Sequence, residues 1–453
     1  MNVPNQQWKL AAAQGPQSVS GPFALRLSKL DKPVLTPISQ QVLTWVLFWP
    51  ILTLIARQTV YFSGPARAAV DYQNGAAMAG PRGSHNYLYV HLLFLTGFVL
   101  LGHREVWATL QRNVLIPAML TLAAVSTLWS PSPLISLQIC IQVGLCTLFA
   151  CYLSARYDTE RLMQFLIFMG TITALLSALF VIALPSYGLF QGYAPDAWQG
   201  ISNHKNSLGV SMAYLLTPVF FTDYYSRGRR FLYGALCLFV IYRTRSVGAM
   251  CDAAGVLVFV ASLGLLRRLR ARELTLFVIL ATTAGLASVI LAVHFWPLLA
   301  GMMGKDPSMT GRAPIYAEVW RSLMKRPILG YGFGGFWYPG NFECQRIRLA
   351  LGWPNIGYSE SGVLELALQI GFLGVGLVFA MMAKAVVQGL RLLRSPRYSP
   401  RVGWFLTVLV LAALTNIDAG WLLTCDTLDW VLILIACIGL DAETRRTRKP
   451  AYE

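Results

Sequence analysis

The chain alternates between long apolar runs and short polar breaks that are mostly basic. The runs fall near 40–60, 86–102, 108–128, 134–153, 162–184, 206–222, 231–242, 246–266, 274–296, 362–387, 402–423 and 428–440. A helix needs about 20 apolar residues to cross a bilayer, so the pattern predicts about twelve spans, with 231–242 short and 428–440 marginal. The predicted fold is all-α: a polytopic transmembrane helix bundle with one large external loop that contains short helices. Its segments are an N-terminal tail over 1–37, nine helices over 38–296, the loop over 297–361, three helices over 362–440 and a tail over 441–453.

The basic residues set the orientation. If the N-terminus with Lys9, Arg26, Lys29 and Lys32 is cytoplasmic, every second loop is too. Those loops hold Arg104; Arg156 and Arg161; Arg227, Arg229 and Arg230; Arg267, Arg268, Arg270 and Arg272; and Arg391, Arg394, Arg397 and Arg401. The tail adds Arg445, Arg446, Arg448 and Lys449. The positive-inside rule is met at each turn with both termini inside. The first 37 residues have no apolar core of their own, so no cleavable signal peptide is read there.

Composition narrows the classes further. With 56% hydrophobic and 13% charged residues over 453 positions, the chain has more apolar surface than one or several soluble domains could hide. A net charge of +17 would suggest nucleic acid in a soluble protein. Here the basic groups sit between spans with no aromatic-interleaved groove, so they read as anchors facing anionic lipid. The partner is the bilayer, and nucleic acid is not expected.

One stretch departs from the charge rule. The loop 297–361 is longer than a connection needs and carries Lys305, Arg312, Arg321, Lys325, Arg326, Arg346 and Arg348 on the side where topology does not call for them. That suggests an anionic ligand; ordinary surface charge on a solvated domain is the alternative. Within it, Ala313 to Arg326 reads as an amphipathic helix with Ile315, Val319 and Leu323 on one face, Thr310 placed to cap it and Pro327 to stop it. Gly330, Gly332, Gly334 and Gly335 follow. Such a stretch can cradle phosphate or permit close packing.

The polar residues bound the chemistry. There is no HExxH, no Cys/His set with metal spacing, and no paired carboxylate in the first external loop, where Asp71 stands alone. No metal and no cofactor are predicted, so arginine would have to neutralise any phosphate. Polar clusters at the outer helix ends are the candidate site, because charged groups near lipid are costly. They are Asn203-His204-Lys205-Asn206, Arg243-Thr244-Arg245-Ser246, Thr310-Gly311-Arg312 and Ser359-Glu360-Ser361, with Asn416 and Asp418 near the end of another helix. From these and the loop, His204, Lys205, Asn206, Arg243, Arg321 and Asp418 are read as substrate-binding. Each taken singly is also explained as an interfacial cap or a snorkelling side chain. Cys344 and Cys425 fall on the same outer side and could pair; six other cysteines lie in predicted spans.

The run Gly304-Lys305-Asp306-Pro307-Ser308-Met309-Thr310-Gly311-Arg312, then Trp320, then Arg326-Pro327-Ile328-Leu329-Gly330-Tyr331-Gly332-Phe333-Gly334-Gly335-Phe336-Trp337 resembles the central loop of the O-antigen ligase and Wzy-type polymerase superfamily. The form is most similar to the bacterial exopolysaccharide polymerases. His204-Lys205-Asn206-Ser207-Leu208-Gly209, Trp129-Ser130-Pro131-Ser132-Pro133, and Leu364-Glu365-Leu366 with Ile370-Gly371-Phe372-Leu373-Gly374 add looser matches, in the expected order from about 129 to 380.

The resemblance implies a metal-independent glycosyltransferase of the inner membrane. It would act at the periplasmic face on polyprenyl-diphosphate-linked oligosaccharide, beside chain-length and export proteins. It also implies roles: Arg245 and Arg312 match the family's diphosphate-binding arginines. The family's usual His-Asn before the next span is replaced by Glu360-Ser361. Glu360 then serves as general base or pairs with an arginine, and a non-catalytic role stays open. The implied reaction is polymerisation, moving a growing glycan onto a second lipid-linked repeat unit. A ligase of the same fold differs only in acceptor. A transporter or flippase of lipid-linked sugar would instead place charges deep in its spans and pair broken helices in two halves.

Overall fold

The computed structural model describes residues 50–54, 85–191, 194–270, 312–338, 340–354, 356–396, 398–418, 422–424 and 427–448, with a few positions between 272 and 283; side chains at 85–90, 417–418 and 448 are excepted. The described residues form helices joined by turns. They are α1 His85–Leu101, α2 His103–Arg112, α3 Leu115–Val125, α4 Pro133–Arg156, α5 Thr159–Ala183, α6 Lys205–Leu216, α7 Arg227–Arg243 and α8 Val247–Leu266. After the shorter α9 Arg312–Leu323 and α10 Phe342–Leu351 come α11 Gly362–Leu393, α12 Pro400–Asp418 and α13 Leu428–Arg448.

Start signals are local. Pro133 opens α4 at a position that needs no N–H. Asp158, His204, Ser246 and Asn341 cap α5, α6, α8 and α10, each accepting a first-turn amide. α10 ends at Gly352, whose φ of 65° suits glycine.

Among the described residues, four helices, α4, α5, α8 and α11, are long and apolar enough to cross a membrane; a fifth span results if α2 and the helix Leu115–Trp129 count as one broken unit. Most of the predicted runs 274–296 and 40–60 lie outside the described residues, as does 297–311 with Lys305 and Thr310. The predicted span 108–128 is a sharp corner, with 97° between α2 and Leu115–Trp129. Asn113 ends α2, its side-chain amide donating to the Thr109 carbonyl at 3.0 Å. α2 itself carries Arg104, Glu105 and Arg112, too polar a face for hydrocarbon.

The two ends of the bundle differ. At the basic end, Arg401 grips Asp158 (3.0 Å), Arg156 meets Glu105 (3.2 Å), and Asp441 takes Lys384 (3.1 Å) and Arg445 (2.6 Å). These pairs tie α12 to α5, α4 to α2, and α11 to α13. Between the ends, buried hydroxyls satisfy indoles: Trp404 donates to Thr217 and Trp430 to Thr147, both at 3.0 Å. Alternation of the helices puts the α7–α8 turn and the starts of α6, α11 and α13 at the opposite end.

There α9 and α10 form a small layer with its own apolar core of Ile315, Val319, Leu323, Phe336, Cys344 and Ile347. The predicted stripe Ile315, Val319, Leu323 is its buried face. Cys344 is a free thiol in that core; Cys425 lies outside the described residues.

The glycine-rich stretch locks this layer to the spans. α11 breaks at Ile370 and Gly371, where Gly371 has φ 68° and ψ −176°. The carbonyls of Leu368 and Gln369 accept from the amides of Tyr331 (3.0 Å) and Gly332 (2.8 Å), and the amides of Phe372 and Leu373 donate to the carbonyls of Pro327 (2.7 Å) and Ile328 (3.2 Å). A break inside an apolar helix strands backbone groups, and the loop satisfies them. A Cβ on Gly371 would lie 2.0 Å from the Ile328 oxygen, so no other residue fits. Gly332 and Gly335 likewise abut Ser130, within 2.6 and 2.1 Å of an added Cβ. Of the two readings of these glycines, close packing is the one seen.

Candidate functional site

The turn between α7 and α8 carries two of the candidate arginines. The Arg243 guanidinium lies 5.2 Å over the Trp198 ring, and the Trp198 amide donates to the Arg243 carbonyl at 2.9 Å. Arg245 follows with φ 50°, a left-handed conformation that a residue with a Cβ adopts at a cost of about 1–3 kcal/mol. Its carbonyl is held by the Lys205 ammonium at 3.2 Å. Its side chain is half exposed and reaches Asp196 at 3.6 Å. Lys205 is buried and lies 5.8 Å from the Phe190 ring centroid; His204 meets the same ring edge-on at 4.9 Å. His204 Nδ1 accepts the Asn206 amide at 3.2 Å, which makes it the cap of α6. The sequence clusters 203–206 and 243–246 are thus one assembly.

The second assembly joins α9 to the start of α11. Arg312, the first residue of α9, reaches Glu360 at 3.5 Å. Glu360 also has left-handed backbone, φ 57°, and its carbonyl accepts the Tyr316 hydroxyl at 3.1 Å. Burial pushes the Glu360 carboxyl above its ordinary value, and Arg312 pulls the other way. Arg245, Glu360 and Leu423 are the described non-glycine residues with positive φ, so two of three are candidate site residues.

Four other basic groups of the loop layer serve it internally. Arg321 pairs with Glu318 at 2.6 Å, Lys325 with Glu343 at 2.6 Å, and Arg346 bridges Glu318 and Glu343. Burial raises Glu343, but hydrogen bonds from Lys325, Arg346 and Ser322 outweigh it and hold the carboxyl below the ordinary range. Arg348 donates to the carbonyls of Ile356 and Trp337. Asp418 ends α12, and its side chain lies outside the described residues.

Glu365 was legible only as part of a loose motif. It is buried one turn into α11, where its carboxylate accepts the Trp337 indole N–H on both oxygens at 3.0 Å, the Ser359 amide at 3.0 Å and the Gln369 amide at 2.8 Å. It fastens the turn that bears Glu360. A carboxylate at the start of an apolar run is the signal that could have found it.

Fold and site define a multi-pass helical membrane protein whose charged, strained residues gather at one end of the bundle. Residues 232–379 match the family described as O-antigen ligase, Wzy_C. The chain is also similar to the exopolysaccharide production protein ExoQ of Rhizobium meliloti (strain 1021), with 22% identity over 308 residues, covering 67% of this chain and 71% of that protein. Both matches point the same way as the motifs: over these stretches the chain is similar to O-antigen ligase and Wzy-type proteins. The matched stretch contains Arg243, Arg245, Arg312, Arg321 and Glu360; His204, Lys205, Asn206 and Asp418 lie outside it.

Proposed function

We propose that the protein is a metal-independent polysaccharide polymerase of the bacterial inner membrane, with both termini cytoplasmic and the Arg245 and Arg312 end periplasmic. It moves a growing glycan from its polyprenyl diphosphate to a hydroxyl of a second lipid-linked repeat unit. One observation carries the reading. Among the described residues, the ion pairs of Arg245 and Arg312 are the loosest, at 3.6 and 3.5 Å, while every other pair is 3.2 Å or closer. An ion pair of that length is one for which an incoming anion can compete.

In the reaction, the acceptor oxygen bonds to the anomeric carbon as the bond to the diphosphate oxygen breaks. Arg245 and Arg312 neutralise the departing diphosphate, and Glu360 takes the acceptor proton. Diphosphate that claims Arg312 also removes the charge that lowers Glu360, so the carboxylate becomes a stronger base when substrate is present. His204, Lys205, Asn206, Arg243 and Asp418 are assigned to sugar and phosphate contacts, while Arg321, paired with Glu318 at 2.6 Å, is left to the loop layer.

The test is single-round polymerisation with purified lipid-linked repeat unit. Glu360→Gln keeps size and most hydrogen bonding but cannot accept the proton, so the rate should fall about 10²–10⁴-fold. Glu360→His should retain part of the rate. Parent-level turnover in the Gln variant would remove Glu360 as base and make His204 or Asp418 the next candidate. The description of the matched family favours a ligase as second reading; product on a non-repeat acceptor, with none on the repeat unit, would select it.

A further inference from the structure

We infer that the α9 layer is seated in the outer leaflet, with Trp320, Ile328, Leu329, Phe372 and Leu373 contacting membrane acyl chains rather than water. Phe372, Phe379 and Val387 are exposed at spacings that keep one face of α11, which makes this stripe a lipid-facing row. From Phe372 to Val387 the helix rises about 22 Å, short of the roughly 30 Å hydrocarbon layer. Above Phe372, α11 is broken and its first two turns are buried under the loop.

The missing part of the belt comes from the loop itself. Residues 327–332 run beside the break, hydrogen-bonded from the level of Leu373 to that of Leu368, and they present Ile328, 68% exposed, and Leu329 outward. The exposed Trp320 ring of α9 lies 6.3 Å from that of Phe372, so the two surfaces are continuous. Large apolar side chains in one unbroken patch mark an interaction surface, and here the patch extends an existing lipid face.

The charges beside it fit headgroup level. Lys325 and Arg321 are matched by carboxylates. Arg326 is exposed, stacks 5.0 Å over Tyr331, and makes no ion pair among the described residues, which leaves its guanidinium for lipid phosphate. Tryptophan at the edge of such a belt is the usual interfacial anchor. The occupant is therefore bulk phospholipid, and the segment is part of the membrane-embedded body instead of a domain projecting from it.

The test uses the full chain in nanodiscs of phosphatidylethanolamine and phosphatidylglycerol, in a background without other reactive cysteines. A spin label is placed at Ile328→Cys and, separately, at Trp320→Cys, with Phe379→Cys as lipid reference. The expected result is collision with oxygen well above that with a water-soluble nickel chelate at all three sites. Nickel-dominated collision at Ile328 or Trp320 would mean that the patch faces water and would overturn the inference. Labels at those two positions shielded from both reagents, with the Phe379 label open to oxygen, would mean a protein occupant, and would overturn it too.

Discussion

At the basic end of the bundle, ion pairs are short and sit on regular backbone, and those of Arg401, Arg156 and Lys384 bridge different helices. At the opposite end, Arg245 and Arg312 make long pairs, and Arg245 and Glu360 adopt a backbone conformation that disfavours a side chain. The same residue types thus do two jobs. Arg401 and Arg156 hold helices together, with both partners satisfied. Arg245 and Arg312 are positioned by backbone, through the Lys205 contact to the Arg245 carbonyl and the start of α9, while their ion pairs stay long, at 3.6 and 3.5 Å. Local strain of this kind persists only where the surroundings enforce it, and it concentrates at functional sites.

The contrast is sharpest in activity. Arg245→Ala and Arg312→Ala should each abolish polymer at near-normal protein level, since removing one donor to a developing anion typically costs about 10²–10³-fold. Lysine at either place should rescue poorly, because a point charge lacks the bidentate fork. Arg156→Ala at the basic end should leave polymer yield near that of the parent. Full polymerisation by both alanine variants would end the diphosphate assignment, and loss of polymer in Arg156→Ala at normal protein level would erase the distinction between the ends.

A smaller effect should appear in the pH profile. Burial raises the Glu360 carboxyl despite Arg312, and a base works only when deprotonated. The rate kcat/KM should therefore rise with pH through a value above the ordinary glutamate pKa of about 4.3. In Arg312→Ala the opposing charge is gone, so the limb of the residual turnover should move to higher pH still. A limb at the ordinary position in the parent, unmoved by Arg312→Ala, would show that Glu360 does not control the rate.

The two ends were also unequally legible in sequence. Basic clusters such as Arg156, Arg401 and Arg445 follow from a counting rule that needs no partner, and the face of α9 follows from residues four apart. The clusters 203–206 and 243–246 were visible as polar residues at helix ends, but their union through Lys205 and the Arg245 carbonyl is a contact over 40 positions that no local pattern encodes. The corner at Asn113 was read through because hydropathy averages over a turn that one cap can redirect. The loop's basic residues suggested a ligand, yet Arg321, Lys325, Arg346 and Arg348 bind partners inside their own layer. The carboxylate partners of the first three, Glu318 and Glu343, lie within the same loop, so charge counts by sign alone concealed the pairing.

The smallest expected effect belongs to the pair that best represents the basic end. Arg401 meets Asp158 through its two terminal guanidinium nitrogens, at 3.0 and 3.1 Å. Asp158 also caps α5, accepting the Glu160 amide at 3.2 Å. The pair is partly solvated, so Arg401→Ala should lower stability by only about 0.2–1 kcal/mol. Asp158→Ala loses the cap as well, worth about 1 kcal/mol, and should be the more damaging of the two. Asp158→Asn keeps a capping oxygen and should fall between them. Thermal unfolding of the three variants in one detergent, followed by helix content, gives the order, and the polymerisation rate should stay at the parent level throughout. An Arg401→Ala loss equal to that of Asp158→Ala would mean that the bridge between α5 and α12, and not the helix cap, is what Asp158 contributes.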